Sequence, residues 1–184
     1  FEPFGGATTN SSELVIGELE IAGDPDVITA VLPTSFQRAQ ARLHGLLDAH
    51  RPQALLMLGL HAGAPCVQLE QLALNLNDCI RPDNDGELRR RLPIIEAAPA
   101  AYRSTLPLER MAVAAEEMSQ AVVFSHDPGC FVCNHVFFHA AHRAAVEAPS
   151  YRCGFVHLPD VQPGSDRLAG VVELVRRWVN DLAV

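Results

Sequence analysis

The apolar positions of the chain predict short buried strands that alternate with amphipathic helices. In residues 36–50 the apolar side chains recur at helical spacing and fall on one face. Residues 54–60 form a continuous apolar run that ends near glycines, which is typical of a strand covered on both faces. The same reading predicts strands at 69–76, 121–124 and 152–158, and helices at 107–120, 133–147 and 167–182.

This order of elements predicts a single-domain α/β protein. Its three α/β/α layers are a mostly parallel central sheet and a layer of helices on each face of it, because parallel strands need crossover helices that cover both faces. The 184 residues are enough to bury the core of one such domain. In folds of this kind, functional sites form outside the carboxyl ends of the strands.

The beginning of the sequence is unusual for the start of a domain. It reads FEPFGG at residues 1–6, without Met and rich in turn formers. Residues 27–32 are rich in β-formers and stop at Pro33. We therefore expect residues 1–184 to form one domain that lacks a strand upstream of Phe1.

Charge, hydropathy and cysteine usage narrow the classes of partner. The formal net charge of -8 gives a surface that repels phosphate backbones, so nucleic acid is not an expected partner. No apolar run approaches the roughly 18 residues that span a bilayer, so no membrane association is expected. The odd count of five cysteines argues against a disulfide-stapled secreted scaffold, and we expect a reducing, cytoplasmic setting.

Three side chains at predicted strand and helix ends carry candidate chemistry. Cys133 follows a strand and a loop and falls where a helix begins, an environment that favours the nucleophilic thiolate and stabilises an oxyanion. His157 ends a buried strand and is placed to act as a general base and acid. Glu70 begins a third strand-like segment and is placed to orient an imidazole. Taken singly, each residue is equally compatible with a structural role.

Four sequence blocks add a resemblance to this picture. They read FEPFGG at 1–6, EQLALN at 70–75 reaching PDN at 82–84, GCFVCNH at 129–135 and GFVHLP at 154–159. In this order they resemble the pyroglutamyl peptidases, also called pyrrolidone carboxyl peptidases, a family of cysteine peptidases. The resemblance covers nearly the whole chain, and it implies the same α/β fold.

The resemblance implies a reaction and a role for each of the three residues. Cys133 matches the family's nucleophile, His157 its histidine and Glu70 its acidic member. The implied reaction is hydrolysis of the bond after an N-terminal pyroglutamate in peptides, through a thioester acyl-enzyme and without a metal or cofactor.

The resemblance also implies how the substrate is held and how the chain assembles. Phe1 and Phe4 match phenylalanines that help to form an aromatic slot for the pyroglutamyl ring, and Phe131 is a further candidate wall. Family members begin with a strand just before the first block, and they are often tetramers. A homo-oligomer is therefore expected, and a tetramer is the form that the family often takes.

The chain departs from the family pattern at several places, and two of them concern an arginine. Residues 59–65 read GLHAGAP where members often carry a Gly-Gly-Arg run, and Ile80 occupies the position of an arginine near the site. Arg81 is then either a local substitute or a surface charge. These departures motivate an alternative, namely a non-catalytic homologue of the same fold.

A third reading is a redox or metal-binding module. Cys130-x-x-Cys133 spells a redox motif or half of a zinc site, and His135, His139 and His142 on the following helix are the nearest further ligands. We expect these histidines instead to be ordinary, partly exposed helix positions. Cys130 is expected to be a small, buried loop residue, and oxidation to a disulfide would silence the enzyme.

Overall fold

Eleven helices and strands make up the described part of the chain, which in this computed structural model comprises residues 1–22, 26–147 and 150–183. The helices are α1 (Ser11–Ala22), α2 (Phe36–His50), α3 (Leu108–Glu117), α4 (Val132–Val146) and α5 (Asp166–Leu182). The strands are β1 (Ala54–Leu60), β2 (Val67–Glu70), β3 (Leu72–Leu74), β4 (Ala101–Arg103), β5 (Val122–Ser125) and β6 (Arg152–Leu158). None of the described helices is long and apolar enough to cross a membrane.

Four strands form the central sheet in the order β1-β6-β2-β5. The β1–β6 and β2–β5 pairs are parallel, and the β2–β6 pair at the centre is antiparallel. One apolar cluster lies between the sheet and helices α1, α3 and α5, and a second lies under α2 and α4. The predicted α/β fold with a mostly parallel sheet between two helical layers is therefore confirmed.

The two core clusters are built from large side chains that the helical and strand patterns turn inward. Trp178 of α5 is fully buried, and its Nε1 donates a hydrogen bond to the carbonyl of Met111 at 2.8 Å, which ties α5 to α3. On the opposite face, Phe36, Phe137 and Phe155 are fully buried between α2, α4 and β6. Fully burying one such side chain contributes roughly 1.5–3 kcal/mol, so α4 is firmly seated on the sheet.

The strand predicted at 69–76 is wrong as a single element, because the chain changes sheets at Gln71. The Gln71 N–H donates to the carbonyl of Ser125 at 2.8 Å, and its own carbonyl accepts from Ser104 at 2.9 Å. Beyond this point β3 pairs with β4, which the sequence pattern did not indicate. The strand predicted at 121–124 is present as β5, but it is an edge strand with Val123 and Phe124 exposed.

Residues 27–32 do not form a strand despite their β-rich composition. They run beside an apolar groove of about 560 Å³ whose other wall is β1. Within the described part of the chain, their backbone contact is a single hydrogen bond from Glu2 N–H to the Leu32 carbonyl at 2.9 Å. A strand needs a partner at hydrogen-bonding distance, and the groove separates this segment from the edge of the sheet.

Candidate active site

Cys133 is the second residue of α4, at a helix start that has no side-chain cap. Phe131 precedes the helix with extended backbone and cannot cap it. The first N–H of this turn to find a backbone acceptor in the described chain is that of His135, which donates to the Phe131 carbonyl at 3.0 Å. The N–H groups of residues 132–134 are therefore free to bind an anion, and the positive end of the helix dipole favours one there.

Strand register brings His157 and Glu70 together behind this sulfur. His157 of β6 pairs with Gln68 of the antiparallel β2, and Glu70 follows two residues later on the same face. The His157 Nδ1 lies 2.7 Å from the Glu70 Oε1, and the Cys133 side chain is close enough to raise the pKa of the imidazole. The structure therefore brings Cys133, His157 and Glu70 together, with the imidazole beside both the thiol and the carboxylate.

Burial and hydrogen bonding act in opposite directions on His157. Burial lowers the pKa of the imidazole, but the interactions with the Cys133 and Glu70 side chains outweigh it and raise that pKa to about 9. Glu70 is fully buried, and its Oε2 has no hydrogen-bond partner in the described chain. A protonated His157 is thus the neighbour that balances the charge of this carboxylate.

Gly59 leaves the space that the sulfur occupies. It pairs with His157 across β1 and β6, and a Cβ added there would lie 3.0 Å from the Cys133 Sγ and 2.7 Å from the Phe155 Cζ. Both distances are shorter than ordinary van der Waals contact. A side chain at this position would press on the nucleophile, a constraint that sequence reasoning missed.

Phe131, the residue before α4, pairs with a second aromatic ring. The Phe4 and Phe131 rings are 4.8 Å apart, and both side chains are half-buried. The Phe131 ring in turn meets Phe36 edge-on at 5.5 Å. Phe1 lies deeper, 7% exposed, with its ring 6.3 Å from that of Phe155. The structure thus brings Phe4 and Phe131 together and places Phe1 in the core behind them.

The PDN block holds the FEPFGG loop in place. The Asn84 Nδ2 donates to the carbonyl of Pro3 and to the Glu2 Oε1, both at 3.0 Å. The Asp83 Oδ2 accepts the first N–H of α2, from Phe36, at 2.9 Å. Sequence reasoning matched this block to the family without giving it a role, since its partners are 47 to 82 residues away along the chain.

Asn134 fixes α4 to the two-stranded sheet of β3 and β4. It is fully buried, and its Oδ1 accepts from the Leu74 N–H at 2.8 Å. Its Nδ2 donates to the carbonyls of Leu74 at 2.9 Å and Leu76 at 3.0 Å. The residue after the candidate nucleophile therefore sets the position of the helix start.

Two positions that depart from the family pattern lie at the surface. Ile80 is 83% exposed, and Arg81 is also exposed. The nearby Arg89 is half-buried, with its guanidinium 4.6 Å from the ring centre of Phe36 and its Nε 2.7 Å from Glu87. This cation–π contact and ion pair hold the Arg89 side chain beside α2.

The prediction that the α4 histidines are partly exposed is wrong for two of them. His135 is 1% exposed and His139 is 7% exposed, and the Nε2 of each has no partner in the described chain. Burial, with smaller contributions from nearby cationic groups, lowers the pKa of His135 to about 2 and of His139 to about 4. The described residues contain no group of three or more His, Cys, Asp or Glu side chains arranged to hold a metal ion.

Cys130 is half-buried beside a second cysteine. The Cys79 thiol donates to the carbonyl of Cys130 at 3.0 Å. Burial raises the pKa of the Cys130 thiol, and it raises that of Cys79 to about 11. Both thiols therefore carry little thiolate at neutral pH, which makes them slow partners in disulfide exchange.

Comparisons with known proteins identify the family of this chain. A family model described as pyroglutamyl peptidase matches residues 1–166. The pyrrolidone-carboxylate peptidase of Thermococcus kodakarensis is 35% identical over 161 residues, which cover 86% of this chain and 78% of the relative. The enzyme of that name from Chromobacterium violaceum is 36% identical over 177 residues, covering 95% and 81%.

Solved structures show the same fold at similar identity. The crystal structure of the pyrrolidone carboxyl peptidase from Fervidobacterium islandicum AW-1 matches with a TM-score of 0.92 at 28% identity, covering 100% of this chain and 95% of the other. The pyroglutamyl peptidase I of Bacillus amyloliquefaciens also matches with a TM-score of 0.92 at 28% identity, covering 100% and 92%. This chain belongs to the pyroglutamyl peptidase family.

Proposed function

We propose that this protein is a cysteine omega-peptidase that hydrolyses the bond after an N-terminal pyroglutamate in peptides. Cys133 is its nucleophile, His157 its general acid and base, and Glu70 the group that orients the imidazole. The observation that carries the proposal is the arrangement of three side chains at a helix start with free N–H groups: Glu70 is hydrogen-bonded to His157, and Cys133 lies close enough to His157 to raise its pKa.

The first half of the reaction forms a thioester. With its proton on His157, the Cys133 sulfur attacks the pyroglutamyl carbonyl, and the oxyanion that develops is stabilised by the free N–H groups at the start of α4. His157 then gives its proton to the nitrogen of the leaving residue, and the C–N bond breaks. Since Ile80 replaces an arginine near the site, the oxyanion depends on these backbone donors.

The second half of the reaction releases pyroglutamate. A water molecule gives a proton to His157 and attacks the thioester carbonyl, and the C–S bond breaks as the sulfur departs. Throughout, the buried Glu70 holds the Nδ1 side of the ring, so the other nitrogen faces the sulfur. The proton that His157 takes from water replaces the one that left with the amine, so the enzyme returns to its starting state.

Specificity comes from the aromatic rings beside the nucleophile. The pyroglutamyl ring is small and flat and carries an amide at its edge, so two converging rings such as Phe4 and Phe131 suit its faces. Phe1 is buried in the core, with its ring near that of Phe155. A proline ring lacks the amide and leaves buried polar groups unpaired, which is how such a slot rejects it.

A fluorogenic pyroglutamyl amide tests the proposal directly. The wild type is expected to release the fluorophore in the presence of a thiol reductant, and a Cys133→Ser variant is not. The prolyl and glutaminyl amides of the same fluorophore serve as controls and should remain intact. No release by the wild type would contradict the proposal and favour a non-catalytic homologue, and release that Cys133→Ser matches would contradict the role of Cys133.

The redox or metal module has a separate test. Elemental analysis of the purified protein would support it by finding about one zinc per chain, the content of a structural zinc site. We expect none, because the high pKa of the Cys130 thiol disfavours the thiolate that zinc binds. Activity without bound zinc would support the metal-free mechanism, and about one zinc per chain would contradict it.

We also propose a homo-oligomeric assembly, a cytoplasmic location and a strand upstream of Phe1. A homo-oligomer, with a tetramer expected from the family, is supported by the exposed apolar side chains of Val123 and Phe124 on the edge strand β5. Light scattering measures that state. A cytoplasmic location is supported by the five free thiols. A strand upstream of Phe1 is supported by the groove beside β1, which has the apolar walls that such a strand needs.

A further inference from the structure

His61 lies at the rim of the candidate site and has no part in the mechanism above. It follows β1, its side chain is exposed, and its ring centre is 5.7 Å from that of His157 at an angle of 69°. Its N–H donates to the Leu158 carbonyl at 2.9 Å, and its own carbonyl accepts from Ala64 at 3.1 Å. The backbone that presents this ring is therefore held by the sheet on one side and a tight turn on the other.

Strand register explains how His61 reaches across the catalytic imidazole. Gly59 of β1 and Gln68 of β2 both pair with His157, and side chains two residues apart on a strand share a face. His61 and Gln68 therefore lie on the same face of the sheet as Cys133. They meet above His157, where the His61 Nδ1 is 2.6 Å from the Gln68 Oε1.

This hydrogen bond fixes which nitrogen of His61 can accept. An amide oxygen only accepts hydrogen bonds, so the His61 Nδ1 must donate to Gln68. In the neutral ring the Nε2 then carries a lone pair and no hydrogen. Within the described part of the chain the His61 Nε2 makes no hydrogen bond, which leaves an oriented acceptor at the rim.

The leaving peptide must pass this acceptor. In the proposed reaction Phe4 and Phe131 hold the acyl group, and His157 delivers its proton to the nitrogen of the leaving residue. The next N–H of the leaving peptide is one residue further on, and one residue spans roughly 3.8 Å. That step is of the same order as the 5.7 Å between the rings of His157 and His61.

We propose that His61 is a specificity-determining residue whose Nε2 accepts the N–H of the peptide bond that follows the first leaving residue. The favoured substrates are then pyroglutamyl peptides that continue beyond that residue, or that end in an amide, over those with an ester or a simple arylamine. The inference rests on the proposed function, and it concerns the leaving group alone. His61 occupies a position in the segment where this chain departs from the family pattern.

Two substrates that differ in one N–H group test this inference. Pyroglutamyl-alanine N-methylamide carries the N–H, and pyroglutamyl-alanine methyl ester has oxygen in its place. The wild type should show a kcat/KM for the amide about fivefold above that for the ester, the size expected of one net hydrogen bond. His61→Ala should abolish the preference, and His61→Phe should abolish it too, since it keeps an aromatic ring beside His157 but has no acceptor.

The outcomes separate this inference from the proposed function. His50→Ala, at the exposed end of α2, is the control and should keep the preference. A His61→Phe variant that still prefers the amide, or His61 variants that slow both substrates equally, would show that His61 acts through its contact with His157 and would overturn the inference. A wild type that cleaves neither substrate would instead overturn the proposed function.

Discussion

The Nδ1 of His157 lies 2.7 Å from the Oε1 of Glu70, a carboxylate that is fully buried and whose other oxygen has no hydrogen-bond partner in the described chain. A buried carboxylate with one partner depends on that partner for its charge balance. The same contact fixes the tautomer and the direction of the imidazole. The position of the general base is therefore set by one hydrogen bond between neighbouring strands.

Glu70→Gln is expected to lower kcat by up to about 10⁴-fold, the loss seen when the acidic member of a triad becomes an amide. The amide keeps the shape of the side chain but removes the charge that favours the imidazolium. The pKa of His157, about 9 in the wild type, should fall in the variant. Steady-state rates together with NMR titration of the imidazole measure both effects, and an unchanged titration would contradict the assigned contact.

Stability should also depend on pH through His157. Its pKa is raised from 6.5 in the unfolded chain to about 9 in the folded one, so protonation stabilises the folded state. This contribution is complete below pH 6.5 and is lost as the pH rises through 9. Urea unfolding between pH 6.5 and 9.5 should show the loss in the wild type. It should be smaller in Glu70→Gln, and equal slopes would contradict the account.

Gly59→Ala should impair the nucleophile without removing any functional group. The added Cβ would lie 3.0 Å from the Cys133 Sγ and 2.7 Å from the Phe155 Cζ, so the sulfur or the ring must move. A displacement of this size is expected to lower kcat/KM by about 10²-fold. Gly45→Ala on α2 is the matched control, because a Cβ there meets open space. Equal activity of the two variants would show that the sulfur does not need this gap.

Asn84→Ala should weaken substrate binding more than it slows the chemical steps. The side chain holds the Pro3 carbonyl and Glu2, and the next residue, Phe4, supplies one wall of the proposed slot. We expect KM to rise by about tenfold, the effect of losing roughly 1.4 kcal/mol of uniform binding, with kcat nearly unchanged. Asn180→Ala on the exposed side of α5 provides a control. A fall in kcat at constant KM would instead tie Asn84 to the triad.

Much of the fold could be predicted from the sequence because its strands and helices are strongly patterned. Residues 36–50, 54–60 and 152–158 were assigned with the bounds that the structure has. The strand at 69–76 was wrong because its apolar side chains belong to two sheets, and Gln71 makes the change through hydrogen bonds to distant residues. No local pattern records such partners.

In the site, too, sequence motifs reveal some of the residues, whereas the role of others follows only from how the sheet and helices pack. Cys133, His157 and Glu70 were found through motifs, and the structure brings them together. The need for Gly59 follows from how closely Cys133 approaches β1, which is a property of the packed sheet and helix. His135 is buried because Phe36 of α2 packs against it. The sequence of α4 does not reveal this, because its apolar side chains lie on most sides of the helix.

His139→Leu should make the protein less sensitive to acid. The folded-state pKa of His139 is lowered from 6.5 to about 4 by burial, followed by the nearby imidazoles of His44 and His142 and by Arg89. The unfolded chain therefore binds a proton that the folded chain refuses, and stability is lost as the pH falls from 6.5 through 4. Urea unfolding at pH 7 and pH 4.5 should show a smaller loss in His139→Leu than in the wild type. His50→Leu at an exposed helix end should behave as the wild type does, and an unchanged loss in His139→Leu would contradict the assignment.

The central claim is that the Cys133 sulfur carries the acyl group during turnover. Acid quenching of the wild type within its first turnovers on a pyroglutamyl ester, followed by peptide mass spectrometry, measures this directly. The account predicts that the peptide containing Cys133 gains the mass of one pyroglutamyl group in place of a hydrogen, and that Cys133→Ala gains none. Turnover with the adduct on another residue, or an adduct that survives the Cys133→Ala substitution, would contradict it.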